Sequence, residues 1–166
     1  MVMTMDLIVM ADTHLKAGID RLPTRLLAAL ERTDAVLHAG DLVSLQALAE
    51  LRSITEVHAV LGNNDHELEE LLPHQLRLVL DGVRVALVHD SGPANGRAGR
   101  LARTFPNTDI VVFGHSHVPV NESGLDGQWL FNPGSPTQRR SQPAPTFGHL
   151  RLRSGTLARR QIEYLP

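Results

Sequence analysis

Leu7-Ile8-Val9-Met10-Ala11-Asp12-Thr13-His14 is the stretch that decides how this chain folds. Four consecutive large apolar side chains leave no face for water. The run 7–10 therefore reads as a strand covered on both sides, as in a sheet flanked by helices. It stops abruptly at a carboxylate and an imidazole. The same event recurs along the chain: an apolar run, then a small group of polar residues.

Moving outward, Leu22, Leu26, Leu27 and Leu30 share one side of a helix, with Pro23 expected in its first turn. Ala35-Val36-Leu37 reads as the next strand, a second helix carries Leu45, Leu48 and Leu51, and Val57 to Leu61 reads as a third strand. The acidic stretch from His66 to Leu72 reads as one or two helical turns. Leu76, Leu78 and Leu80 alternate with other residues, and Asp81-Gly82 signals a two-residue hairpin whose return strand is Val83 to Val88. A helix is expected from Arg97 to Phe105, and Ile110 to Phe113 is another buried run. Short strands follow near 118–120, 128–131 and 147–153, and a Ser154-Gly155 turn leads into a last strand through Ile162. This alternation predicts an α/β fold built as one domain over 1–166, with a mixed sheet or two sheets flanked by helices. The irregular stretch from Pro133 to Pro145 is the longest loop, and long loops in compact domains are often functional.

The polar groups fall where a site would be expected. The buried runs end in Asp12-Thr13-His14, His38-Ala39-Gly40-Asp41, Gly62-Asn63-Asn64-Asp65, His89-Asp90 and Gly114-His115-Ser116-His117. Ligand sites of open α/β sheets lie at the carboxyl ends of strands. Any one of these motifs is commonplace as a turn, but five in a row after apolar strands are not five coincidences. Their nitrogen and oxygen donors suit Mn, Fe, Zn, Co or Ni rather than thiolate-seeking ions, and the chain has no cysteine. Gly40, Gly62 and Gly114, one before each of Asp41, Asn63 and His115, permit tight turns and close approach.

Taken in order, Asp-x-His, Gly-Asp, Gly-Asn-x-Asp, His, Gly-His-x-His and Asn-Pro-Gly-Ser resemble the calcineurin-like metallophosphoesterase superfamily, in particular its small single-domain bacterial phosphodiesterase branch. The resemblance runs from Asp12 to about Ser135. It implies two facing mixed β-sheets flanked by α-helices, and two divalent metal ions, with manganese the leading expectation. Asp12, His14 and His117 would hold one ion, Asn63, His89 and His115 the other, and Asp41 would bridge them. Two such ions about 3.5–4 Å apart share a water and lower its pKa toward neutrality, so that a bridging hydroxide attacks phosphorus in line. Two divalent ions, two carboxylates and a hydroxide leave one net positive charge for an anionic substrate. The chain departs from the family pattern at Asn64, where many members carry a histidine that acts as general acid, and at Asp90, where glycine is frequent.

Asp41, Asn64, Asp65 and His66 are therefore the candidate catalytic positions, His66 by its nearness to Asn64. Asn64, Arg139 and Arg140 are candidate substrate contacts, and Asp65 and Asn132 candidates for orienting the ligands. His38, His58, His74 and His149 receive a structural reading. A net charge of -2 and few aromatics argue against a grip on long nucleic acids, and the apolar runs are too short to span a membrane. The expected substrate is a small phosphate ester, the expected compartment the cytoplasm, and self-association is left open. The alternative function is a non-catalytic protein-binding scaffold with the same fold.

Overall fold

A computed structural model describes residues 2–166. The first strand, β1 (Thr4–Met10), shows why 7–10 is apolar on every residue. Successive strand side chains point to opposite faces. Leu7 and Val9 join one buried cluster with Ala35, Leu37, Val85, Ile110, Val112 and Phe131. Ile8 and Met10 join another with Leu26, Leu30, Leu48 and Leu51. The first cluster lies between two sheets and the second between a sheet and its helices.

Helix α1 (Thr24–Leu30) starts one residue later than Pro23, which stands at its cap and not inside its first turn. Strand β2 (Ala35–His38) pairs in parallel with β1. Helix α2 (Leu45–Ile54) begins where the Ser44 hydroxyl accepts the Ala47 amide at 3.1 Å. Leu48 and Leu51 face the core, but Leu45 opens the helix on its solvent side and is 50% exposed. Strand β3 (Glu56–Ala59) and a 3₁₀ turn (His66–Leu68) follow. Strands β4 (Gln75–Leu80) and β5 (Val83–Val88) form the expected hairpin. Asp81 at φ 44° and Gly82 at φ 78° give it the left-handed turn that matches strand twist.

Helix α3 (Arg97–Thr104) leads to β6 (Ile110–Val112). Strand β7 (Val120–Ser123) starts two residues later than the apolar pattern suggests, because Ser116 Oγ captures the Val118 amide and Pro119 brings no amide hydrogen to a ladder. Strands β8 (Trp129–Asn132), β9 (Thr146–Arg153) and β10 (Thr156–Tyr164) complete the fold. One sheet has the order β10-β9-β1-β2-β3 and the other β4-β5-β6-β8-β7. Both mix parallel and antiparallel pairs, so the two facing mixed sheets that the family resemblance implies, one of the two arrangements the residue pattern left open, are the architecture found. Among the described residues, no helix is long and apolar enough to cross a membrane.

The contact between the sheets is tight at Gly148 of β9. A Cβ built there collides with Phe131 Cε1, lies 2.8 Å from Phe131 Cζ and meets Val9 Cβ at 3.0 Å. Backbone and packed ring cannot both give way. Gly148→Ala is expected to destabilise the protein by about 1–3 kcal/mol, read as a lower denaturation midpoint at unchanged slope. An unchanged midpoint would mean that the sheets can slide apart at no cost.

Candidate metal centre

Five loops leave the carboxyl ends of β1, β2, β3, β5 and β6 on one edge of the sandwich, and their side chains converge. Asp12 follows β1, Asp41 follows β2, and Asn63 follows β3; His89 follows β5, while His115 and His117 follow β6. Both sheets therefore contribute. They touch at Gly114, where a Cβ would lie 2.7 Å from Ala11 Cβ and 2.9 Å from Asp12 Oδ2. Gly62 is equally constrained, since a Cβ there would strike the Asp41 carboxylate.

The backbone at this edge is strained. Asp12, His14, Asp41, Val43, His115 and His117 all have positive φ, between 45° and 90°. Each such residue costs about 1 kcal/mol or more, and the β-branched Val43 at 90° is the costliest type. The left-handed turns carry the chain away from the strand direction at the sheet edge, and there His115 and His117, two apart, reach His89 and Asp12 respectively.

Two imidazoles are oriented by backbone carbonyls. His89 Nδ1 donates to Ala39 O at 2.7 Å, and His117 Nδ1 donates to Gln138 O at 2.6 Å. A carbonyl only accepts, so each neutral ring carries its proton on Nδ1 and presents a bare Nε2 to the site. His89 Nε2 lies 3.0 Å from Asn63 Oδ1, 3.5 Å from Asp41 Oδ2 and 3.3 Å from His115 Nδ1. His117 Nε2 lies 3.5 Å from Asp12 Oδ1, and His14 Nε2 lies 3.6 Å from Asp41 Oδ2. Asp12 Oδ1, His14 Nε2 and His117 Nε2 are buried and without a hydrogen-bond partner. Two donor groups are near enough to share an ion each: Asp12 with His14 and His117, and Asp12 with Asp41 and His89. Buried polar atoms without a partner are costly, and a cation among them would satisfy them; the chemistry of this nitrogen and oxygen set fits a divalent one.

The carboxylates are held by amides. Asp41 accepts the Asn64 backbone N–H at 2.9 Å and Asn64 Nδ2 at 2.8 Å. Burial works against its charge, but the Asn64 bonds, with His89 and His14, outweigh burial and hold its pKa below the ordinary value. Among the described residues, the Asp12 carboxylate accepts only the His115 amide, at 3.0 Å. Burial, aggravated by the nearby Asp41, pushes Asp12 up to about 8. Burial lowers His14 and His117, and the Arg140 charge lowers both further.

The other sequence candidates separate cleanly. Asp65 is buried behind Asp41: its Oδ2 accepts the Asp41 and Gly62 amides at 2.9 and 2.7 Å, and its Oδ1 the Val43 amide at 2.7 Å. All its bonds are to backbone, so it shapes the loop and offers nothing to a reacting group. Asn132 holds the Gly114 carbonyl at 3.1 Å and accepts the Gly134 amide at 2.9 Å. His66 is not brought into the cluster; its side chain is 79% exposed and pairs with Glu69 at 3.2 Å. Arg139 folds back onto the Gln142 carbonyl at 2.6 Å. Arg140, at φ 51°, has no hydrogen bond among the described residues, and its charge acts on Asp12, His14 and His117. Asp90 starts the turn after β5 by accepting the Gly92 amide at 2.7 Å.

His38 is fully buried between Thr13 Oγ1 at 3.0 Å and the Gly40 amide at 3.2 Å, and burial pushes it down to about 3. It is a neutral strut beneath the two carboxylate loops. Sequence reading gave Ser135 only as the end of the Asn-Pro-Gly-Ser motif and passed over Thr137. Ser135 Oγ donates to Asp12 O and Thr137 Oγ1 to Thr13 O, both at 2.7 Å, which stitches the Pro133–Pro145 loop to the first ligand loop.

A family model for the calcineurin-like phosphoesterase superfamily domain matches residues 5–155. A protein of Methanothermobacter thermautotrophicus named a probable metallophosphoesterase is 31% identical over 80% of this chain and 77% of its own length. A phosphodiesterase of Methanocaldococcus jannaschii is 27% identical over 76% of this chain and 81% of its own. The structure of Vps29 from Entamoeba histolytica in complex with Zn²⁺ superposes with a TM-score of 0.73, covering 97% of this chain and 98% of that one. At 22% identity that last likeness carries the fold alone.

In metal-free protein, Asp12 keeps a proton that the unfolded chain has released from pH 3.8 upward, so the folded state loses stability as pH rises toward about 8. His14 and His117, lowered from 6.5, act in the opposite sense, and their contribution is complete by about pH 7. Between about pH 7 and 8.5 the metal-free melting temperature is therefore expected to fall, and Asp12→Asn to flatten that fall. Thermal melts in chelator at the two pH values check this; an equally steep fall in the variant would assign it to another group.

Proposed function

We propose that this chain, which belongs to the calcineurin-like phosphoesterase superfamily, is a dinuclear metal-dependent phosphodiesterase acting on small phosphate esters in the cytoplasm. The observation that carries this reading is the set of buried polar atoms with no hydrogen-bond partner: Asp12 Oδ1, His14 Nε2 and His117 Nε2. In this reading Asp12, His14 and His117 hold one ion, Asn63, His89 and His115 the other, and Asp41, whose Oδ2 lies near both His14 and His89, serves both. What two divalent cations supply when bound there is charge on the phosphoryl oxygens and a water acidic enough to attack phosphorus in line. Manganese is the proposed ion, and Zn²⁺ in the Vps29 structure is a property of that protein.

The chain's own groups do the rest. Asn64 holds both Asp41 oxygens, so the shared carboxylate cannot swing away. The carbonyls of Ala39 and Gln138 hold His89 and His117 in the tautomer that leaves Nε2 bare. Arg140 meets a non-bridging phosphoryl oxygen, and its guanidinium is the free one of the Arg139-Arg140 pair. Asn63, Asn64 and His115 are exposed, so this side opens to solvent, and the leaving oxygen takes its proton from water. The phosphodiesterase preference has the support of the relative from Methanocaldococcus jannaschii.

Asp41→Asn is expected to reduce bound metal and to lower hydrolysis of bis(p-nitrophenyl) phosphate by at least about 100-fold. Elemental analysis alongside the rate assay checks both. Two ions retained at a normal rate would remove Asp41 from its role, and full metal loading with no turnover in the wild type would favour a scaffold. Arg140→Ala is expected to raise KM about tenfold with kcat nearly kept, whereas His66→Ala leaves activated and alkyl esters alike unaffected. Steady-state kinetics on both ester types decides between those outcomes and a proton-donating His66.

A further inference from the structure

A groove of about 450 Å³ lies on the outer face of the first sheet, between α1 and the β9–β10 pair. It is remote from the metal centre: its residues on β1 are Asp6 and Ile8, four to six positions before Asp12, or about 13–20 Å along the strand. A body bound here cannot touch the ligands of that centre. The groove's size falls within the range of small-molecule sites.

Its floor is apolar. Ile8 and Phe147 are 5% and 3% exposed, and Ala28 and Ala29 of α1 present only methyl groups. Its walls are charged and already braced. Arg25 is held by Glu163 at 2.8 Å and by the Tyr164 carbonyl at 3.0 Å. Asp6 is held by His149 at 2.7 Å and by Arg151 Nε and Nη2 at 2.9 and 3.2 Å. Three guanidiniums line the groove against two carboxylates, in a chain whose net charge is -2. The positive excess is thus local. It resides on Arg32, whose side chain has no hydrogen bond or ion pair among the described residues, in a groove that Arg151 also lines with an uncommitted Nη1. The paired acids order the other cations without cancelling Arg32.

We propose that this groove is a binding site for a small amphipathic organic anion, its apolar body on Ile8 and Phe147 and its anionic group on Arg32. The inference stands without any metal ion and without the phosphodiesterase reading. A neutral apolar ligand leaves Arg32 idle, and a bare inorganic anion leaves the floor uncovered. One ring system bearing one carboxylate or sulfonate satisfies both.

The probe is 8-anilinonaphthalene-1-sulfonate, titrated by calorimetry and fluorescence into the full chain. One equivalent is expected to bind with a dissociation constant on the order of 10–100 µM, as for a ligand of its size. Arg32→Glu should weaken binding at least tenfold, and Ala28→Trp, which fills the groove from an exposed helix position, should abolish it. Arg52→Glu on α2 should leave it unchanged, as should Asp41→Asn. The uncharged N-phenyl-1-naphthylamine should bind at least tenfold more weakly. Absence of binding by the wild type, or binding indifferent to both Arg32→Glu and Ala28→Trp with circular dichroism unchanged, would overturn the site. Equal affinity for the uncharged analogue would overturn the role of Arg32.

Discussion

Like is packed against like at one edge of this molecule, and the surrounding structure is organised to tolerate it. Asp12 and Asp41 lie close enough that each raises the cost of charging the other. The ring nitrogens of His14, His89 and His117 approach the same carboxylates at 3.5–3.9 Å without a hydrogen bond to them. In water such groups would separate. Here the backbone holds them, through left-handed conformations at six neighbouring residues and through amides directed onto Asp12, Asp41 and Asp65. Local strain of this order persists only where the rest of the fold over-determines it.

The over-determination comes from two sheets meeting at their carboxyl ends. Leu7, Val9, Leu37, Ile110 and Val112 fill the space between the sheets, so β1, β2 and β6 cannot shift by one residue without turning that surface outward. Once register is set, Asp12, Asp41 and His115 arrive at fixed heights along the same edge. Gly114 then lets the second sheet come within contact of Ala11, and the Ser135 and Thr137 hydroxyls tie the late loop to the first one. Core packing and site geometry are thus one problem: the apolar runs aim the polar residues that follow them.

This is also why the fold and the convergence of polar groups could be read from residue order. A run such as 7–10, apolar on every position, has few other uses, and each run ends where its polar residues begin. Turn chemistry at Asp81-Gly82 was equally legible. What escaped is carried by groups without a residue-type signature. The Ala39 and Gln138 carbonyls, which set the His89 and His117 tautomers, could belong to any residue. His66 and Arg139 look competent in sequence, but their side chains pair with Glu69 and with the Gln142 carbonyl. Leu45 fits the helical stripe by spacing, yet the start of α2 leaves it half exposed.

The opposite treatment of the two carboxylates has a chemical consequence. Asn64 supplies two donors to Asp41 and keeps it charged, whereas Asp12 has one amide and stays protonated near neutral pH in the absence of a cation. The pair then carries about one negative charge where two oxygen anions could stand. Were Asp12, His14 and His117 to hold a divalent ion, Asp12 would have to give up that proton to serve as a ligand. The two carboxylates are thus divided by their partners: Asn64 keeps Asp41 charged and in place, while Asp12 is the one whose charge would depend on a cation.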